Sequence, residues 1–436
     1  MPEVLCVDVG STFTKGVLVG ADGSPLGRAA GPTTVTTDVL EGLAAVRAEL
    51  VGGRDVETLV CSSAGGGLRL AVVGYEREVT AQAGSRVGLS AGARVVHVAS
   101  GPLDGPQVSA LRAARPDVVL LVGGTDGGNA DVLLHNARRL ARARLTAPVV
   151  AAGNAAAADD VAAELAGTGR RFVTAANVLP RIGELDPSGA RAAIREVFLE
   201  HVIGGKGLSR GPTFARMVRA ATPDAVLAGV ELLAAQRDED VLVVDVGGAT
   251  SDVYSVLTPH GEDAALRRDV VGTLWHARTV EADLGMRWSA AGVLEAAERE
   301  GLVTTPAVRA WSERVTEDPG RLAADAQEWA AEEEVARLAV LLALRRHGRP
   351  GATGERPRPL SDVGLVVGSG GVLRHAPDGV AHRVLAAALT DHAGGWRVPD
   401  RARVALDRDA VLFAVGLLAP VDPDRAAALA ESLGLG

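Results

Sequence analysis

The sequence predicts an α/β protein in two halves, and three observations support this prediction. Residues 4–19 read VLCVDVGSTFTKGVLV, and residues 241–256 repeat the pattern as VLVVDVGGATSDVYSV. Short apolar runs alternate with helix-like segments over residues 94–180, which is typical of an additional α/β subdomain. The chain has 436 residues, 47% of them hydrophobic, which is enough to form several packed cores.

The internal repeat predicts a β-hairpin at the start of each half. Residues 7–10 and residues 244–247 share Val, Asp, Val and Gly in the same order. In each copy a buried strand ends in Asp-Val-Gly, a turn of small and hydroxyl residues follows, and a second strand has alternating apolar positions. We therefore expect two equivalent strand–turn–strand units.

The elements between the two hairpins follow from apolar periodicity and turn signals. After the first hairpin we expect a helix over 38–50, strands over 57–61 and up to 73, and a helix over 76–92. The alternating region predicts strands over 95–99, 117–122, 149–151 and 172–175, separated by helices over 107–114, 132–144 and 155–166. Such alternation favours a parallel sheet covered by helices.

The rest of the chain is read in the same way. It predicts helices over 188–208 and 222–236, a strand pair near 253–272, helices over 275–300 and 321–347, a solvated loop over 349–359, a strand over 363–367, and helices after 378 and 409. The charge run 332–334 is interpreted as a solvated helix face. The expected domains are a first lobe (1–93, with 409–436 packing back on it), an inserted α/β subdomain with connecting helices (94–220) and a second lobe (221–408).

Composition and charge exclude several classes of protein. The chain has 45 basic and 54 acidic residues, a net charge of −9, and no long basic run, so we expect no binding to nucleic acid. Its longest apolar stretch, 410–419, is shorter than the ~18 residues of a membrane-spanning helix. The N-terminal region lacks the basic residues of a signal peptide, which predicts a cytoplasmic protein. Cys6 and Cys61 lie in apolar runs and are interpreted as buried thiols, not as a disulfide, zinc or iron–sulfur site.

Each Asp-Val-Gly turn suits a nucleotide phosphate. Successive backbone N–H groups in such a turn converge on one point, and glycine lets the chain approach an oxygen closely. An Asp at the end of the strand can hold Mg²⁺ through its water ligands. Two such turns predict a polyphosphate site between two lobes, with Asp8 and Asp245 facing the metal.

With the later turn at 367–371, these residues resemble the phosphate-1, phosphate-2 and adenosine motifs of the actin, Hsp70 and sugar kinase superfamily. More narrowly, the chain resembles the MutL/GlmL-type accessory ATPases of adenosylcobalamin-dependent glutamate (methylaspartate) mutase. That resemblance covers nearly the whole chain and rests on SSAGGGLRLAVVG (62–74), LLVGGTDGGN (120–129), NVLPRIGELD (177–186), DVGGATSDVYSV (245–256), RTVEADLGMR (278–287) and VGSGGVLR (367–374). It implies a two-lobed actin/Hsp70-like ATPase fold, built from duplicated ribonuclease H-like domains, with an inserted α/β subdomain.

The resemblance also implies ATP and Mg²⁺ as ligands and assigns roles to residues. Asp8 and Asp245 would hold Mg²⁺ through water, and Asp252 would orient a metal-bound or attacking water. Glu281 would lie on a helix that faces the ribose. The other nucleotide-binding residues would be Gly10, Ser11, Thr12, Thr14 and Lys15 in the first loop, Gly247, Gly248, Ala249 and Thr250 in the second, and Gly368, Ser369, Gly370 and Gly371 beneath the adenosine.

Several of these residues also have a purely structural explanation that involves no nucleotide. Thr14 and Thr250 are also explained as ordinary strand or turn hydroxyls, and Lys15 as a solvated charge. The glycine-rich runs at 65–67 and 123–128 are also explained as tight strand-to-helix loops. The sequence contains no GxxxxGK[ST] and no HExxH, which excludes those two classes of site.

Two functions from different classes are compatible with these motifs. The first is a chaperone-like ATPase that reactivates or protects an adenosylcobalamin-dependent mutase through opening and closing of the nucleotide cleft. The second is a small-molecule kinase, which needs a carboxylate base in the first lobe, with candidates Asp38, Asp55, Glu57, Glu76 and Glu78. A nucleotide-binding scaffold without turnover is a third possibility.

Overall fold

The computed structural model describes residues 2–64, 68–76, 79–91, 93–203, 207–258, 275–350, 357–393 and 397–433. The chain forms two compact units. The first contains the chain up to Val226, and the second contains Leu227–Thr258 and the chain from Arg278 onward. None of the helices in the described ranges is long and apolar enough to cross a membrane.

In the described ranges the strands form three five-stranded sheets. In chain order they are β1 (Val4–Val9), β2 (Phe13–Val19), β3 (Pro25–Pro32), β4 (Glu57–Ser62), β5 (Arg69–Gly74), β6 (Arg94–Ser100), β7 (Val118–Leu121), β8 (Val149–Ala151), β9 (Phe172–Thr174), β10 (Val218–Ala221), β11 (Val241–Val246), β12 (Ser251–Val256), β13 (His276–Glu281), β14 (Leu365–Ser369) and β15 (Arg403–Leu406).

The helices cover these sheets. In chain order they are α1 (Val39–Val51), α2 (Thr80–Ser90), α3 (Gly105–Ala113), α4 (Asp131–Arg142), α5 (Ala158–Ala166), α6 (Ser188–Val197), α7 (Thr213–Met217), α8 (Thr222–Arg237), α9 (Ala290–Arg299), α10 (Pro306–Glu317), α11 (Ala326–Gly348), α12 (Gly371–His375), α13 (Val380–Leu389), α14 (Leu412–Leu418) and α15 (Pro423–Glu431). The helix predicted over 188–208 ends at Val197, where a π-helical turn follows.

The first two sheets have the same topology, which is the structural form of the internal repeat. Their orders are β3-β2-β1-β4-β10 and β13-β12-β11-β14-β15. In each sheet the hairpin is antiparallel, pairing Asp8 with Lys15 and Asp245 with Asp252. The next two strands run parallel to the first strand of the hairpin. The predicted fold class, an α/β protein with a duplicated ribonuclease H-like sheet, is confirmed.

The third sheet is entirely parallel, with the order β6-β5-β7-β8-β9. Strand β5, which pairs with β6 and β7, lies at residues 69–74, so this sheet begins before residue 94, where the sequence analysis started the inserted subdomain. Five of the six residues of β5 are buried, as expected for a strand covered on both faces. The sequence assigned β5 to the first lobe because an apolar run does not reveal its sheet partners.

The position of the C-terminal helices differs from the sequence analysis, which expected residues 409–436 to pack back on the first lobe. Contacts group α14 and α15 with the second unit. There α14 packs against α8 so closely that a Cβ added to Gly229 would lie 2.2 Å from the carbonyl oxygen of Leu412. The second lobe therefore extends past residue 408.

The helix predicted over 275–300 is wrong in its first part, because residues 276–281 form β13 and the helix begins only at Ala290. By contrast, the predicted start of α1 is confirmed, and its physical cause is a side-chain cap. Asp38 accepts a hydrogen bond from the Leu40 amide over 2.9 Å, which satisfies an N–H group of the first helical turn.

Candidate functional site

The first Asp-Val-Gly turn is closed by one backbone hydrogen bond. The Gly10 amide donates to the Phe13 carbonyl over 3.0 Å, while Ser11 and Thr12 are exposed at the tip. Thr14 is fully buried in β2, and its hydroxyl lies 3.0 Å from the hydroxyl of Thr33. The turn therefore presents its tip to solvent, and Thr14 is bonded inside the sheet.

The second turn has the same construction. The Gly247 amide donates to the Thr250 carbonyl over 2.9 Å, at the position equivalent to the bond in the first turn. In the described part of the chain, no backbone carbonyl accepts a hydrogen bond from the amide N–H groups of Gly248 or Ala249. Such N–H groups at the tip of a turn are suited to a phosphate oxygen.

A segment at 286–289, which we call the brace, donates hydrogen bonds to the backbone carbonyl groups of the second turn. The amides of Met286 and Arg287 donate to the carbonyls of Gly247 and Gly248 over 3.0 and 2.8 Å. The Ser289 hydroxyl donates to the Ala249 carbonyl over 2.7 Å. With its carbonyls bonded to the brace, the turn is fixed in one conformation.

The brace is anchored by a buried carboxylate that the sequence analysis misplaced. Glu332 of α11 is only 2% exposed. It accepts hydrogen bonds from Arg287 Nη2 over 2.7 Å and from Trp311 Nε1 over 2.6 Å. The interpretation of 332–334 as a solvated helix face is therefore wrong for Glu332, because helical periodicity turns this one carboxylate of the run inward.

Asp8 lies at the end of β1 and is 4% exposed. Its Oδ1 accepts a hydrogen bond from the Thr222 hydroxyl over 2.6 Å, and the Cys61 thiol lies 3.7 Å from the same oxygen. Its Oδ2 lies 4.0 Å from the ammonium group of Lys15, which is one-third exposed. Burial, and next the charge of Asp8, raise the pKa of Cys61 well above its usual range, so this thiol stays protonated.

Asp252 lies opposite Asp245 in the second hairpin and is paired with a cation that the sequence did not indicate. Its Oδ1 accepts from Arg278 Nε over 3.0 Å, and its Oδ2 lies 3.3 Å from the Thr250 hydroxyl. Arg278 is 6% exposed and also lies over the ring of Tyr254, 5.6 Å from its centroid. Burial raises the pKa of Asp252, and the Arg278 guanidinium opposes this rise.

The third glycine turn is brought to Asp245 by strand pairing, because β14 places Ser369 directly beside Asp245. Gly370 has a φ of +99°. A Cβ at Gly370 would lie 2.2 Å from the Val246 carbonyl and 2.8 Å from Asp245 Oδ1. Only glycine tolerates both this positive φ and the close approach of these two oxygen atoms. Gly368 and Ser369 are the last two residues of β14, which is buried along its whole length, and Gly371 begins α12.

A further carboxylate near Asp245 was missed by sequence reasoning. Asp407 follows β15 directly, is 3% exposed, and accepts a hydrogen bond from the Val411 amide over 2.9 Å. Burial raises its pKa, and the charge of Asp245 contributes to this rise. Strand β15 has only four residues, too few for a periodic signal in the sequence.

Glu281 is not on a helix. It is the last residue of β13, and its Oε2 accepts a hydrogen bond from Arg346 Nη1 over 2.8 Å. Burial raises the pKa of Glu281, opposed by Arg346. Its proposed contact with a ribose stays a prediction.

The structure describes only one of the two other glycine-rich runs, the run at 123–128. Residues 65–67 lie outside the described part of the chain. The run at 123–128 connects β7 to α4 and is held by two buried asparagines. Asn154 Oδ1 accepts from the Gly127 amide over 3.0 Å, and Asn177 Nδ2 donates to the Gly124 carbonyl over 3.0 Å. This arrangement is a tight strand-to-helix loop, as one of the two interpretations predicted.

The described residues contain no group of three or more His, Cys, Asp or Glu side chains that could hold a metal ion. The site residues fall into two sets. The first turn, with Asp8, belongs to the first unit, and the second turn, Asp252 and the third turn belong to the second unit.

The duplicated sheets and their glycine turns have the fold that the sequence analysis expected from its resemblance to the actin, Hsp70 and sugar kinase superfamily. The model of the family described as "MutL protein" matches residues 4–433, and the chain belongs to this family. It is 32% identical over 453 residues to "Protein MutL" of Clostridium tetanomorphum, an alignment that covers 98% of each chain.

Solved structures show more distant similarity. A ROK family glucokinase from Streptomyces griseus, in complex with glucose and AMPPNP, has 13% identity and a TM-score of 0.34, with 99% of both chains covered. The activator of the 2-hydroxyisocaproyl-CoA dehydratase from Clostridium difficile, with bound ADPNP, has 10% identity and a TM-score of 0.33, with 99% of this chain and 95% of that chain covered.

The resemblance implies Mg²⁺-dependent ATP turnover, and on that expectation Lys15→Ala lowers the rate by less than about tenfold, because partly exposed ion pairs are weak. The ammonium lies 4.0 Å from Asp8 and is one-third exposed, so water replaces much of its effect. The measurement is steady-state turnover of Lys15→Ala, with Arg28→Ala on the neighbouring strand β3 as the control. A loss of a hundredfold or more would instead make Lys15 a principal phosphate ligand.

Proposed function

We propose that this protein binds Mg²⁺-ATP, hydrolyses it, and uses the cycle to reactivate or protect an adenosylcobalamin-dependent mutase. The main support for nucleotide binding is the position of the third glycine turn, which lies against the Asp-Val-Gly turn of the second unit at Asp245. Membership of the MutL protein family supports the accessory role.

The geometry of each turn fits a phosphate group. The tips carry N–H groups, and the second tip is fixed by the brace before any ligand arrives. A Cβ at Gly370 would collide with Asp245, so the glycine keeps this carboxylate accessible from the third turn. Preorganised donors of this kind stabilise developing phosphate charge without reorganisation.

The proposed roles follow from these positions. Asp8 and Asp245 would hold Mg²⁺ through its water ligands, and a bound Mg²⁺ would neutralise charge on the phosphates. Residues 368–371 would lie beneath the adenosine. Asp252, held at Oδ1 by Arg278, would use Oδ2 to orient the Thr250 hydroxyl or a water at the second turn.

The described residues give the kinase alternative no specific support. Asp38 already caps α1, and its Oδ2 accepts from Ser209 and Arg210. Asp55 precedes β4, and Glu57 begins it, so both lie at the strand end opposite Ser62 and the turn. Glu76 follows β5 of the third sheet, and Glu78 lies outside the described part of the chain.

The decisive experiment measures ATP hydrolysis by the purified protein with Mg²⁺, with and without a cob(II)alamin-inactivated adenosylcobalamin-dependent mutase. We expect the mutase to change the hydrolysis rate, and mutase activity to return only when ATP is present. The Asp245→Asn variant is the control and should restore no activity. Phosphorylation of a small acceptor without any effect of the mutase would overturn the proposal in favour of a kinase.

A further inference from the structure

The carboxyl ends of three neighbouring parallel strands bring Asp8, Cys61 and Thr222 into one row. Strand β4 lies between β1 and β10 in the first sheet. The register places Asp8 beside Cys61, and Cys61 beside Ala220, and Thr222 follows β10 directly. The row ends in a hydrogen bond of 2.6 Å from the Thr222 hydroxyl to Asp8 Oδ1.

We infer that Thr222 is a positioning residue for Asp8, an inference that rests on the proposed function. A carboxylate that is 4% exposed is costly unless hydrogen-bond donors compensate it. The Thr222 hydroxyl supplies a short, charge-assisted bond to Oδ1. Because the terminal torsion of an Asp side chain is soft, this bond restricts the direction of Oδ2.

Thr222 is itself held in place, which is what a positioning role requires. It begins α8, and Pro223 and Asp224 follow it in the first turn. Asp224 is 3% exposed and forms ion pairs with Arg195 and, at 3.7 Å, with Arg191 of α6. The β-branched side chain of threonine restricts χ1, so its hydroxyl has little freedom to leave Asp8.

The Cys61 thiol complements Thr222 but does not replace it. Its sulfur lies 3.7 Å from Asp8 Oδ1, and a thiol is a weak donor. Thr222 is therefore the stronger of the two donors to Oδ1.

The test compares the full-length wild type with Thr222→Val, Thr222→Ser and the control Thr58→Val, which lies at the other end of β4. ATP binding is measured by calorimetry at a series of Mg²⁺ concentrations. We expect Thr222→Val to raise the half-saturating Mg²⁺ concentration about tenfold or more, the effect of losing a hydrogen bond to a charged group. Thr222→Ser and Thr58→Val should stay within about twofold of the wild type, since neither loses that bond.

The Mg²⁺ midpoint separates positioning from a merely structural role, because partial unfolding lowers the number of binding sites and leaves the midpoint unchanged. If Thr222→Val does not fold, Thr222→Ala removes the same hydroxyl and replaces it in the series. The inference about Thr222 would be overturned if the hydroxyl-free variant had the wild-type Mg²⁺ midpoint, or if Thr222→Ser raised the midpoint as much as that variant does. Neither outcome would affect the proposed function. A wild type that binds no ATP would instead overturn the proposed function.

Discussion

Asp245→Asn is expected to lower Mg²⁺-dependent ATP turnover by roughly a hundred- to a thousandfold, the range found when one preorganised electrostatic group is removed from an active site. The substitution keeps the shape of the side chain and removes the charge that would face Mg²⁺. Gly370 leaves this carboxylate open to the third turn, since a Cβ there would lie 2.8 Å from Oδ1. The loss should therefore appear in turnover and not in folding.

Asp8→Asn is expected to act in the same direction, because Asp8 has the equivalent position in the first hairpin. The matched control is Asp55→Asn, which changes an exposed carboxylate in the loop before β4. Single-turnover hydrolysis and thermal unfolding are measured on all three variants. Wild-type turnover in Asp245→Asn or Asp8→Asn would exclude that residue from the metal site, whereas a lowered unfolding temperature with parallel loss of turnover would indicate a structural role.

The two hairpins could be predicted because their information is local. An apolar strand, an Asp-Val-Gly turn and an alternating return strand lie next to each other in the chain, so both hairpins were expected from the sequence. The structure then gives their register, which pairs Asp8 with Lys15 and Asp245 with Asp252. The repeat then predicts the duplication without knowledge of the other strands. The glycine turn at 368–371 was found in the same way, from a buried strand that ends in glycines.

The partners of these residues could not be predicted, because sheet order brings them from distant parts of the chain. Thr222 lies 214 positions from Asp8, and the four-residue strand β10 that precedes it gives no periodic signal. The polar sequence of β13 conceals that Arg278 points at Asp252 from a strand. Likewise, helical periodicity alone does not reveal that Glu332 meets the brace.

Glu332→Ala is expected to destabilise the protein by about 3–5 kcal/mol, the usual effect of removing one partner from a buried ion pair. The substitution leaves Arg287 without its 2.7 Å bond and Trp311 without the acceptor of its indole N–H. Arg287 also donates its amide to Gly248, so disorder in the brace would reach the second phosphate turn directly. ATP affinity should therefore fall together with stability.

The neighbouring residue gives a matched control. Glu333 pairs with Arg383 at the surface, 2.8 Å away, so Glu333→Ala should leave the urea midpoint and ATP affinity unchanged. Glu332→Gln keeps an acceptor for Trp311 and loses the charge beside Arg287, so its urea midpoint should lie between those of Glu332→Ala and the wild type. Equal midpoints for Glu332→Ala and Glu333→Ala would mean that the brace does not depend on α11. A destabilised Glu332→Ala with wild-type ATP affinity would separate the stability of the second unit from the conformation of its phosphate turn.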